Sequence, residues 1–203
     1  MLTLINIIYS ALCMAIPCMF YFVYLMRQKK EKRSPMFHFF ETAVFLIYIY
    51  MVFSVTGIGS IWEIGKYGSV IRLDEINLIP FQAGKMITNI LNLIMFVPLG
   101  FLIPLIWQEY RNVVKVLIIG ASFSLSIELA QLFNRRVTDI DDLLMNTIGT
   151  LVGYIIWYGT KKMFSKWNKK AASMSKNEPV IYLLLSIAGE FLLYNWRLLF
   201  RFL

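Results

Sequence analysis

Ser124, Glu128, Gln131 and Arg135 stand four, three and four residues apart at the end of an apolar run in this chain. Offsets of 0, 4, 7 and 11 residues fall at about 0°, 40°, −20° and 20° around an α-helix, so a helix reaching Arg135 carries all four on one stripe. Asp142, Asn146, Gly149 and Gly153 repeat that spacing, and Asp139 continues the second stripe outward. Helices joined by so short a link are antiparallel neighbours. Glu128, Gln131, Arg135 or Arg136, Asp139 and Asp142 can therefore converge near one end of a hairpin. Carboxylates and amides gathered in this way can hold the polar head of a ligand, carry out general acid–base chemistry or ligate a divalent cation. The competing reading is structural, with the same groups satisfying one another and clamping the hairpin.

These side chains call for explanation because of their surroundings. Hydrophobic residues make up 59% of the 203 residues and charged residues 16%, with 16 Phe, 11 Tyr and 5 Trp. A soluble domain of this size has no interior large enough to hide that much apolar surface. The same figures exclude disorder, collagen and a disulfide scaffold. A lipid bilayer is the solvent that suits the chain. Six segments approach the ~20 apolar residues that a spanning helix needs, at about 2–26, 37–56, 88–107, 113–133, 143–160 and 180–200. The expected fold is an all-α, polytopic transmembrane bundle of about six spans.

A formal net charge of +8 would suggest nucleic acid in a soluble protein. Here the Lys and Arg residues cluster between apolar runs, which marks the cytoplasmic side of a membrane protein, and no nucleic-acid partner is expected. Alternate links carry thirteen of these cations and the opposite side seven. Both termini are thus expected outside, in a multi-pass protein of the cell membrane. The first run is too long for a cleaved signal peptide, and its charges follow it rather than precede it. Residues 1–36 are read as a first helix with a basic loop, 37–160 as a four-helix membrane domain, and 161–203 as a second basic loop with a last helix. The basic loop at 161–178 is read as a topology determinant that touches anionic lipid.

Polar residues elsewhere carry less. Cys13 and Cys18 lie five apart inside the first run, which suggests no disulfide. The single histidine, His38, leaves little for a His-based metal site or a catalytic triad. Glu41 is expected to reach the cytoplasmic basic loop, and Glu190 is the deepest carboxylate. Asn89 and Asn92 stand near the outer end of the third segment, where Pro98 can kink the helix or serve packing. The long external segment 57–85 includes Asn77 and the apolar Leu78, Ile79 and Phe81 around Pro80. Its end is expected to dip into the interface or pack on the bundle, with Trp62 and Tyr67 as headgroup-level anchors. Gly149 and Gly153 form a small-x-x-x-small pair suited to close helix approach.

Taken in order, several motifs resemble one family. They are Asn77-Leu78-Ile79-Pro80-Phe81, then Asn92-x-x-x-Phe96-x-Pro98-x-Gly100, then Ser124-x-x-x-Glu128-x-x-Gln131. The last is Arg136-x-x-Asp139-x-x-Asp142-x-x-x-Asn146-x-x-Gly149-x-x-x-Gly153. Across residues 40–160 or so they are similar to the VanZ-like family. The resemblance implies a small multi-pass bacterial membrane protein, related to one linked with resistance to teicoplanin, a lipidated glycopeptide antibiotic. It implies no settled biochemical activity, and it leaves Glu190 outside.

The favoured reading is a non-enzymatic protein that binds an amphiphile in an outward-facing cleft. Asn77, Asn92, Ser124, Glu128, Gln131, Arg135, Arg136, Asp139, Asp142 and Asn146 are the candidate ligand-binding residues. The expected partners are membrane lipid and either a lipoglycopeptide antibiotic or a cell-wall lipid precursor, with no cofactor and no resident metal. One alternative is an intramembrane enzyme that modifies an envelope lipid or wall precursor, with carboxylates that could hold Mg²⁺ or Ca²⁺. Another is a lipid transporter, although no internal repeat is evident.

Overall fold

The computed structural model describes residues 2–28, 35–63, 66, 76–77, 79–80, 86–134, 138–164 and 175–195. Among these residues six α-helices follow in order: α1 Leu2–Arg27, α2 Pro35–Thr56, α3 Met86–Ile106, α4 Val113–Gln131, α5 Ile140–Thr160 and α6 Glu178–Leu193. Each coincides with one of the six apolar segments, and the protein is an all-α membrane bundle. Helices α1 to α4 are long and apolar enough to cross a membrane. Helix α5 is as long as α3, but its first turn carries Asp141 and Asp142.

Two helix ends differ from expectation. Helix α4 stops at Gln131, so the polar stripe does not continue to Arg135. The chain turns through 132–134 instead, and Arg135 and Arg136 lie outside the described residues, as do Tyr67, Leu78 and Phe81. Helix α6 ends at Leu193, well short of residue 200; Tyr194 is extended and Asn195 takes a positive φ of 63°. Its 16 residues rise ~24 Å, less than the ~30 Å hydrocarbon core.

Contacts between the outer helices set their directions. Tyr9 donates its hydroxyl to the Leu193 carbonyl, Ser10 donates to Glu190, and the Cys18 thiol lies against the Tyr182 carbonyl. Helices α1 and α6 are therefore antiparallel, with the start of one beside the end of the other. Both cysteines are buried thiols with no disulfide between them. In the centre, Phe45, Ile49, Phe96, Leu99, Ile103, Trp107 and Ile127 form a core with almost no exposure. Phe45 meets Trp107 edge-on at 4.9 Å. Large apolar side chains such as Phe20, Ile47, Ile87, Ile118 and Leu184 remain exposed on the outside. That inversion of the soluble pattern suits a lipid solvent.

The tightest approach joins α3 and α5, which run parallel. A Cβ on Gly149 would strike the Leu93 carbonyl, one on Gly153 the Val97 carbonyl, and one on Gly100 the backbone of Thr150. Three absent side chains thus let the two backbones touch. The glycine pair serves α3 rather than the hairpin partner α4, whose Gly120 meets the Thr150 side chain. Short extended segments precede both helices: β1 (Ile76–Asn77) and β2 (Thr138–Asp139) pair in parallel, Asn77 opposite Asp139. Pro98 lies within a helix that is continuous from Met86 to Ile106.

Candidate functional site

The polar residues of α3, α4, α5 and the β1–β2 ladder meet at one end of the bundle. Asp139 is the N-cap of α5, with its carboxylate accepting from the Asp141 N–H at 3.0 Å. This satisfies one of the amides that every helix start leaves open and sets negative charge at the positive end of the helix dipole. The same carboxylate accepts from Asn77 Nδ2 at 3.1 Å. Glu128, one helix away and buried, accepts the Asp139 backbone N–H at 3.0 Å. Asp142 and Asp139 are both close enough for their negative charge to bear on Glu128.

One turn into α5, Asp142 accepts a short 2.6 Å bond from Asn92 Nδ2 on α3. Both of these residues are only partly buried. Deeper, Asn146 Nδ2 donates to Ser124 Oγ at 2.9 Å, and both groups are shielded from solvent. The side-chain oxygens of Asn146 and Asn89 are buried and receive no hydrogen bond. The arrangement gathers three carboxylates, and Asn77, Asn92 and Asn146 each donate a side-chain hydrogen bond within it. A group suited to it would donate hydrogen bonds.

Seven of the ten residues singled out from sequence are thus brought together: Asn77, Asn92, Ser124, Glu128, Asp139, Asp142 and Asn146. Gln131 goes elsewhere, donating Nε2 to the Thr56 carbonyl at the end of α2. With Asn134 donating to the Gly57 carbonyl, it ties the α4 end to α2. Arg135 and Arg136 lie outside the described residues. Trp62 is engaged by the protein, because its indole N–H donates to the Leu192 carbonyl. Ile79 is 65% exposed and does not pack on the bundle.

Sequence reasoning missed a second polar cluster at the opposite end. His38 Nε2 makes a short hydrogen bond to Glu178, the first residue of α6, and its Nδ1 lies 3.7 Å from Glu41. All three are buried. Glu41 accordingly faces His38 inside the bundle, and residues 29–34 of the basic loop that it was expected to reach lie outside the described residues. The i, i+3 spacing of His38 and Glu41 was legible. Glu178 was hidden in a stretch read as loop.

An all-α membrane bundle with an acidic, amide-lined cluster where three helices and a two-residue ladder meet is the class that fold and site define. Within it, the chain belongs to the VanZ-like family: the VanZ/LLP1 family model matches residues 45–164, more than half the chain. The match takes in most of α2 and all of α3, α4 and α5, including every residue of the cluster. Helix α1 and helix α6 fall outside it. No curated relative and no solved structure matches the chain.

Proposed function

We propose that this protein is a multi-pass component of the bacterial cell membrane, with both termini outside. In this reading it holds an amphiphile by its polar head at the Asn92–Glu128–Asp142 cluster. The acyl part of the ligand lies in lipid against the exposed apolar faces of α3 and α5. The head donates hydrogen bonds, through amino, amide or hydroxyl groups. A lipidated glycopeptide of the teicoplanin kind fits that description, and holding it would lower its access to its target and so confer resistance.

The observation that carries this reading is the pair of buried amide oxygens, on Asn89 and Asn146, that receive no hydrogen bond. Such groups are costly to keep near lipid. A donor-bearing head would relieve that cost. The experiment is expression of the wild type and of Asp142→Asn and Asn92→Leu variants in a susceptible bacterium, with direct titration of the purified proteins with teicoplanin and with vancomycin, its counterpart without the acyl chain. Wild type should raise tolerance to teicoplanin far more than to vancomycin, and the variants should lose both tolerance and binding in parallel. Undiminished binding by Asp142→Asn at wild-type expression would end the proposal.

A further inference from the structure

A cavity lies outside this cluster and uses none of its residues. It has a volume of about 260 Å³ and opens between α1, α2 and the end of α6, with Ser10, Tyr50, Ser54, Glu190 and Tyr194 in its wall. Glu190 is 4% exposed. Its Oε1 accepts from Ser10 Oγ at 2.7 Å, and its Oε2 is buried without a hydrogen-bond partner. No Lys or Arg lines this cavity among the described residues. Tyr194, just past the end of α6, senses the charges of both Glu190 and Glu63, which add to the burial that raises its phenol above the ordinary value. Among the described residues that line the cavity Glu190 is the acidic one, and the walls include the aromatic residues Tyr50, Phe53 and Tyr194. A carboxylate beside aromatic rings suits an ammonium group, which gains both the ion pair and attraction to the ring faces.

Beyond Tyr50, whose hydroxyl donates to the Ile7 carbonyl at 3.0 Å and joins the two helices, an apolar groove of about 270 Å³ lies along α1 and α2 and shares Tyr50 with the polar cavity. The small side chains of Ala11, Ala15 and Ala43 open it, and Phe22 and Phe39 lie at its far end. Helix α1 rises ~18 Å between Ser10 and Phe22. That compares with ~15 Å for half of a ~30 Å hydrocarbon core. A polar socket at one end and a greasy channel one leaflet long match the two parts of a single lipid.

We infer that the furrow between α1 and α2 is a binding site for a membrane lipid with an ammonium headgroup, its amine on Glu190 Oε2 and one acyl chain along Ala15 and Ala43. Phosphatidylethanolamine is the probe. The full-length protein, purified in a non-ionic detergent, is examined by native mass spectrometry with phosphatidylethanolamine and with phosphatidylglycerol of the same acyl chains. Free ethanolamine serves as a soluble competitor. Wild type should retain the ethanolamine lipid over the glycerol lipid by about tenfold or more, the size expected for a buried charge pair. Glu190→Gln should abolish that preference, and Ala43→Phe should weaken retention of both lipids.

Ser54 is exposed, so Ser54→Lys is a variant that can place the chain's own ammonium in the cavity without disturbing the core. It should displace the lipid while melting like wild type. Equal retention of the two lipids by wild type, or unchanged retention in Glu190→Gln or Ser54→Lys, would overturn the inference. Displacement of the lipid by millimolar ethanolamine alone would also overturn it, because the occupant would then be a soluble amine. Failure here leaves the antibiotic titration at Asp142 untouched, because the two sites share no residue.

Discussion

Three glycines on α5 make opposite demands on the same substitution. Replacing glycine by alanine inside a helix gains about 0.8–1.0 kcal/mol from backbone propensity alone. At Gly159 nothing lies within 4 Å of the added methyl, so Gly159→Ala should keep that gain. At Gly149 and Gly153 the methyl lands on carbonyls of Leu93 and Val97, which belong to the backbone of α3. A backbone carbonyl has no rotamer through which to retreat, so the helices themselves must part. Overpacking of a well-fitted interior costs about 1–3 kcal/mol, which exceeds the propensity gain. Parting α3 from α5 also stretches the 2.6 Å Asn92–Asp142 bond, and a hydrogen bond to a charged group is worth about 1.5–3 kcal/mol. Gly149→Ala, nearer that bond, should therefore destabilise by ~2–4 kcal/mol once the propensity gain is subtracted. Reversible unfolding of the purified variants in mixed micelles, followed by tryptophan fluorescence, measures the differences. If Gly149→Ala and Gly159→Ala move stability in the same direction, the parallel α3–α5 contact is wrong.

A double-mutant cycle on Asn92→Ala and Asp142→Ala should return a coupling of about 1.5–3 kcal/mol; a value near zero would show that the two side chains do not meet. Asp139→Ala should cost roughly 1 kcal/mol for the lost cap, with further loss from the Asn77 bond, whereas Asp139→Asn should recover much of the cap in the same unfolding assay. Ser124→Ala removes the oxygen that receives Asn146 Nδ2 and should cost about 1–3 kcal/mol for an unsatisfied buried donor. Glu178→Ala should lower stability by about 3–5 kcal/mol because it breaks a buried pair with His38, while the double change His38→Leu with Glu178→Leu should be much milder. Equal losses in the single and double variants would show that the pair carries no special weight.

The order and extent of the helices were legible because lipid imposes a crude rule. A chain this apolar must bury its amides in helices, and an apolar run of the right length marks one. Helix starts were read to within three residues. The far end of α6 was not, because Trp196, Leu198, Leu199 and Phe200 carry the apolar run past the residue at which the helix ends. Hydropathy records what a side chain prefers, whereas helix ends depend on backbone conformation, as at Asn195 with its positive φ. In the candidate site, helical spacing placed Ser124 with Glu128 and Asp142 with Asn146 on common stripes. Periodicity within one helix reveals a face, and the faces of α4 and α5 do come together.

What lay beyond the sequence concerns partners distant along the chain. Periodicity could not say that Gly149 and Gly153 press on α3, that Gln131 turns to the end of α2, or that Asn77 pairs with Asp139 in a two-residue ladder. The His38–Glu178 contact spans 140 residues and the Ser10–Glu190 contact 180, so no local pattern could propose either. Amino-acid type and spacing determined that this protein lives in a bilayer, as helices with polar stripes. Which stripe meets which is a matter of how six cylinders pack. That is decided by close fits such as glycine against carbonyl, and only the folded structure displays them.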